Sequence, residues 1–265
     1  MLLETHSVEK PWGCDTLPLP FVTPAGKRIG EIWFVPPPEL DQLLAKYIFT
    51  SEKLSVQVHP TEAQAAAAGA GDGKDECWLV IGAEPGAKLG IGLTREVERD
   101  ELRAAALDGS IEHLLDWRDV GPGDFFSIPA GTVHAIGGGV SLVEIQQNSD
   151  TTYRLYDYGR PRELHLDQAV AVARTGPYDA ALHRKVLDGG SATLINGPKF
   201  RLDLIEGPPD AARLEAYDAP LLVIPLTGEV TVGEAVRSGQ CAFAPRLADV
   251  RIADNARCLI ARSLL

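Results

Sequence analysis

The chain is written in short stretches that alternate apolar and polar residues, cut apart by 26 glycines and 19 prolines. Alternation with period two sends successive side chains to opposite faces, so each stretch must be a half-buried strand paired with others. Residues 30–35, 53–59, 76–81, 88–93 and much of 124–157 read this way, and residues 191–265 form a second β-rich block. So dense a supply of turn residues favours a turn-rich, β-dominated architecture over a helical bundle.

Four helical interruptions are expected. After Pro36, Pro37 and Pro38, the spacing of Leu40, Leu43, Leu44 and Tyr47 predicts a short amphipathic helix. An alanine run at 63–70 suits a helical turn that Gly69, Gly71 and Gly73 stop. Residues 94–117 predict a helical insertion: Thr94 as N-cap, Leu102 and Ala106 on one face, and Asp108-Gly109 as the stop. Ser110 would cap a second short helix with Leu114 and Leu115. Residues 166–174 predict a helix inside a linker that ends near Gly189-Gly190. The frame G-x5-P occurs twice, as Gly123…Pro129 and Gly239…Pro245, with Phe in the middle of each copy. That repeat predicts two related β-units, with histidine following only the first.

Charge and cysteine content narrow the partners. A net charge of −12 argues against nucleic acid, and an anionic substrate would need a local basic pocket working against the global field. No apolar run reaches the roughly 18 residues of a membrane span, and residues 1–13 lack a signal-peptide core. Cys14, Cys77, Cys241 and Cys258 are scattered without a CxxC pair and read as free thiols, so a soluble, cytoplasmic protein is expected.

Gln57 and His59 lie two apart on one strand and therefore share a face, while Val56 and Val58 take the other. Glu76 opens a later strand, and His134 follows the turn Pro129-Ala130-Gly131. Two imidazoles, a carboxylate and an amide oxygen converging inside a β-barrel would hold a divalent metal; zinc and Fe(II) both suit the set. His6, His113, His165 and His183 lack such a frame and read as surface residues. The Q-x-H strand, the later Glu and G-x5-P-x-G-x2-H make the two-part pattern of cupin barrels. Glu144 is a candidate acid/base. Arg154, Tyr156 and Tyr158 alternate onto one face, and Lys74 adds a second positive charge. Arg160 and Arg162 are nearby cations available to an anionic substrate, and Trp12 is expected to pack in the core.

Longer blocks carry a closer likeness. Lys10-Pro-Trp-Gly13, Gly30-Glu-Ile-Trp33, residues 54–60, Lys74-Asp-Glu-Cys-Trp78, residues 128–134 and the run 142–157 resemble the type I phosphomannose isomerases of the short bacterial kind. That resemblance implies two cupin-like jelly-roll barrels: a catalytic one at 1–160, a linker at 161–190, and a degenerate barrel without metal ligands at 191–265. It implies one zinc per chain on Gln57, His59, Glu76 and His134, with Arg154, Glu144 and Lys74 catalytic. The implied reaction interconverts mannose 6-phosphate and fructose 6-phosphate through an enediol, with a small-molecule hexose 6-phosphate as substrate and neither nucleic acid nor membrane as partner. The stretch between Trp33 and Leu54 is shorter than in relatives, which carry a longer helical segment over the site. A non-catalytic sugar-phosphate-binding cupin and an Fe(II) cupin oxygenase are the alternative readings.

Overall fold

The computed structural model describes residues 1–186 and 189–265; Leu187 and Asp188 of the expected linker lie outside the described residues. The first half contains β1 (Thr5–Cys14), β2 (Ile29–Phe34), β3 (Leu43–Phe49), β4 (Val56–Val58) and α1 (Glu62–Ala68). Next come β5 (Glu76–Ala83), β6 (Lys88–Leu93), α2 (Arg99–Asp108), α3 (Ile111–Leu114), β7 (Leu115–Asp119) and β8 (Asp124–Ile128). β9 (His134–Ile136), β10 (Val140–Gln147), β11 (Tyr153–Tyr156), α4 (Leu166–Val172) and β12 (His183–Lys185) follow. The C-terminal block holds β13 (Ala192–Asn196), β14 (Phe200–Glu206), α5 (Ala211–Ala216), β15 (Leu221–Thr227) and β16 (Val230–Val232). It ends with β17 (Glu234–Val236), β18 (Ala242–Ala244), β19 (Arg251–Ile252) and β20 (Arg257–Ser263).

The protein is mainly β, as the alternation predicts. A seven-stranded sheet, β1-β2-β3-β10-β5-β8-β12, faces a five-stranded sheet, β11-β4-β9-β6-β7. In the C-terminal block, β13-β14-β20-β15-β18 accompanies the small sheet β17-β16-β19. The order β3-β10-β5-β8 is matched by β14-β20-β15-β18. Gly123 and Gly239, the first residues of the two G-x5-P frames, precede β8 and β18, and both take φ of +85°. That left-handed conformation is open to glycine at little cost, which accounts for the shared residue type.

Leu40 to Tyr47 is not a helix. Pro38–Leu40 make one 3-10 turn, and the chain then enters β3, every residue of which is buried. A strand covered on both faces shows a continuous apolar run instead of alternation, and such a run mimics helical spacing. The helical insertion is present but smaller than expected. α2 starts after Glu98 instead of Thr94, neither α2 nor α3 has a side-chain cap, and residues 115–119 pair with β6 as β7. The expected linker contributes β12 to the main sheet through its pairing with β8.

Packing ties the blocks together. Tyr47, Phe49, Leu79 and Ile145 on the outer face of the main sheet share one core with Leu202, Leu204, Leu222 and Leu259 of the C-terminal sheet. The inner face contributes Ile48, Trp78, Phe126 and Leu142 to a separate core. α2 and α4 cover the back of the smaller sheet through Leu102, Ala106, Ala169 and Val170. Among the described residues no helix is long and apolar enough to cross a membrane.

Candidate active site

The site lies between the two N-terminal sheets, and strand register brings its residues together. Gln57 on β4 is the direct partner of His134 on β9 and, on its other side, of Arg154 on β11. Across the interior, Glu144 on β10 stands between Lys46 on β3 and Trp78 on β5. Residues two apart share a face, so Glu76 and Trp78 enter the same space.

His59, Glu76 and His134 are buried, and their ligand atoms lie within 4.8 Å of one another. His59 Nε2 and His134 Nε2 each stand 3.4 Å from a different oxygen of Glu76. Each ring is aimed from behind: His59 Nδ1–H donates to the Thr151 carbonyl and His134 Nδ1–H to that of Thr132, both at 2.9 Å. Fixing the proton on Nδ1 leaves Nε2 as the ligand atom, the usual backing of a metal-bound histidine. Among the described residues neither Glu76 oxygen finds a well-directed hydrogen bond, although both are buried. Gln57 Nε2 lies 3.3 Å from His134 Nε2 while Ser55 donates to Gln57 Oε1; turning the amide over would present the oxygen instead.

Protonation states agree with this donor set. Burial, reinforced by the charge of Lys74, drives His59 well below the ordinary imidazole value. Burial also lowers His134, against the pull of Glu76. Burial works to raise Glu76, but the charge of Lys74 holds it below the usual carboxylate range. Two neutral imidazoles and an ionised carboxylate are the forms that bind a divalent cation. The residues present therefore fit zinc.

Beside the three ligands a cavity of about 500 Å³ opens, lined in part by Trp12, Gln57, Lys74, Glu144, Arg154 and Arg162. Lys74 Nζ is 2.9 Å from Glu76 and 3.7 Å from Glu144. Glu144 also receives Trp78 Nε1–H at 3.0 Å and pairs with Lys46 at 3.0 Å. Burial opposes the charge on Lys46, yet Glu144 and Glu31 hold it above its usual value. Arg154 lines the cavity, with its Nε buried and without a partner among the described residues. Trp12 is buried as expected and also walls the cavity.

Several expectations need correction. A bulge between Arg154 and Tyr156 breaks the alternation, so the two tyrosines do not flank the arginine. They pack on each other at 4.9 Å, and the cations over the Tyr158 ring are Lys53 and Arg160. His165 and His183 are not simple surface residues. His165 Nδ1 accepts the Arg154 backbone N–H, and His183 stacks on Phe126 at 4.3 Å. Sequence reasoning missed Lys46 because a helix was expected there; a lone lysine inside Leu43–Phe49 is the signal that identifies it. It also missed Asp75, whose carboxylate accepts the Ala130 N–H at 2.7 Å and so ties the Glu76 strand to the His134 turn.

No protein-family model matches the chain. A mannose-6-phosphate isomerase of Streptococcus mutans is 39% identical over 218 residues, 77% of this chain and 68% of that one. The chain belongs to the mannose-6-phosphate isomerases. The mannose 6-phosphate isomerase of Bacillus subtilis superposes with a TM-score of 0.80 at 26% identity, over 98% of both chains. A zinc-bound mannose 6-phosphate isomerase shares the fold, with a TM-score of 0.73 at 16% identity, over 100% of this chain and 99% of that one.

Proposed function

We propose that this mannose-6-phosphate isomerase interconverts mannose 6-phosphate and fructose 6-phosphate through an enediol, with one zinc held by Gln57, His59, Glu76 and His134. The observation that carries the reading is the convergence of three buried ligands beside a cavity that also receives Glu144, Lys74 and Arg154. On this reading chemistry belongs to residues 1–160, joined by the segment 161–190 to a degenerate second barrel at 191–265 without ligands.

The reaction moves a proton between C2 and C1, and the obstacle is the weak acidity of a C–H beside a carbonyl. When bound, zinc supplies Lewis acidity toward the substrate's carbonyl and neighbouring hydroxyl oxygens. Glu144 carries the proton: it takes it from one carbon and returns it to the next. Trp78 and Lys46 hold its carboxylate at opposite oxygens, which fixes the direction it faces. Lys74, between Glu76 and Glu144, stabilises negative charge as it develops on oxygen. Arg154 offers a planar fork to enediolate or phosphate oxygens.

Purified protein in a coupled assay is expected to turn over mannose 6-phosphate, lose activity on chelation and regain it with zinc. Absence of turnover with any hexose 6-phosphate removes the proposal. Iron as purified together with oxygen uptake replaces it with the oxygenase reading, and zinc-dependent sugar-phosphate binding without turnover leaves a mere binder.

A further inference from the structure

We infer that Asp157 is a positioning residue that locks Arg162 at the wall of the cavity beside Arg154, so that the two guanidinium groups form the seat for the substrate's phosphate. The inference rests on the sugar-phosphate reading above and deepens it.

Five cations line the cavity: Lys10, Lys46, Lys74, Arg154 and Arg162. The lysines are already answered by carboxylates, Lys10 by Glu31, Lys46 by Glu144 and Lys74 by Glu76. The Arg154 side chain has no acceptor among the described residues. Arg162 donates Nε–H and one Nη2–H to the two oxygens of Asp157, each at 2.6 Å. That bidentate grip leaves Nη1 free and removes most of the rotamer freedom a long side chain would lose on binding.

Asp157 is 2% exposed and shared. Arg160 reaches the same carboxylate at 3.3 Å, but its other end goes to Glu52 and its plane lies over Tyr158. Arg160 is not part of the cavity wall. Asp157 and Glu52 together balance Arg160 and Arg162, so the excess positive charge at this wall is that of Arg154, beside a guanidinium whose geometry is fixed. The turn that delivers it is specific: Tyr158 takes φ of +55°, and the Arg160 N–H returns to the Asp157 carbonyl at 3.0 Å. A protein of net charge −12 repels a dianion at long range, so a rigid local pair of guanidiniums is what capture requires. Asp150 also borders the cavity, but it is exposed at the rim.

The test is inhibition by inorganic phosphate, measured against mannose 6-phosphate turnover, with Asp157→Asn and Arg162→Gln. In both variants the inhibition constant is expected to rise about 10- to 100-fold, the value of a lost bond to a charged group. KM should rise by more than kcat falls, zinc content should stay at the wild-type level, and Asp157→Glu should recover part of the loss. Arg162→Gln alters a half-buried side chain and keeps the test alive if Asp157→Asn fails to fold. Unchanged phosphate inhibition in a folded variant overturns the inference, as does a loss confined to kcat and melting temperature. Wild-type turnover judges the isomerase reading separately, so the two fail in different ways.

Discussion

The carboxylate of Glu144 touches three groups whose charges and donors decide what it can do. With Lys46 at 3.0 Å and Trp78 Nε1 at 3.0 Å it cannot rotate freely, and Lys74 at 3.7 Å adds a third contact. On the proposed mechanism, Glu144→Gln is expected to retain zinc but lose about 10²- to 10⁴-fold in kcat. Metal analysis and steady-state kinetics on one preparation check both halves, and a fully active variant removes Glu144 from the proton path. Lys46→Met leaves Glu144 buried beside fewer positive charges. Breaking a buried pair from one side costs about 3–5 kcal/mol, so denaturant unfolding should register a loss of that order together with a fall in kcat.

At the scale of elements, the proposed ligand Glu76 depends on a close approach between α1 and the loop that enters β5. α1 is bounded at its start by a full capping box on Thr61 and Gln64 and at its end by Gly69 in the left-handed conformation. Its first turn lies so close to Gly73 that an added Cβ would stand 2.3 Å from the Glu62 nitrogen and 2.7 Å from the Thr61 carbonyl carbon. Both are backbone atoms, which have no rotamer with which to yield. Gly73→Ala must shift Lys74 and Glu76, the next chemically active residues along. The expected result is weaker zinc retention and a fall in kcat of at least about tenfold, since displacements near 1 Å are costly in catalysis. Wild-type zinc affinity in a competition titration with a chelator would contradict this.

At the scale of the whole molecule, Asp124 clasps the linker strand to the main sheet. It receives Lys185 at 2.8 Å, His183 at 3.1 Å and the Gly121 N–H at 2.8 Å. Burial acts to raise its pKa, but these partners bring it below the ordinary aspartate value. A depressed carboxyl contributes stability that is fully present above the unfolded pKa and is lost as pH falls through the folded one. The melting temperature of the wild type should therefore drop more steeply below about pH 4 than that of Asp124→Asn. Parallel curves for the two proteins would show that the clasp contributes nothing to acid stability. The shared core under Tyr47 and Leu222 gives a reason for the blocks to unfold together.

Much of this was legible in the chain itself. Alternation and turn residues determine the β-class, and the repeated frame marks two glycines that both take positive φ. The two-residue spacing of Gln57 and His59 is also local, although β4 ends at Val58 and His59 follows it. What is local, a period or a backbone conformation, is written in neighbouring residues. Tertiary structure alone decided that Leu43–Phe49 is a strand, because burial on both faces erases the alternation that would have announced it. That strand places Lys46 opposite Glu144, a pairing 98 positions apart that only register creates. The same holds for the bulge that separates Arg154 from Tyr156 and for the grip of Asp157 on Arg162. Side-chain partners across a sheet are set by which strands meet and in what register, and no single segment carries that information.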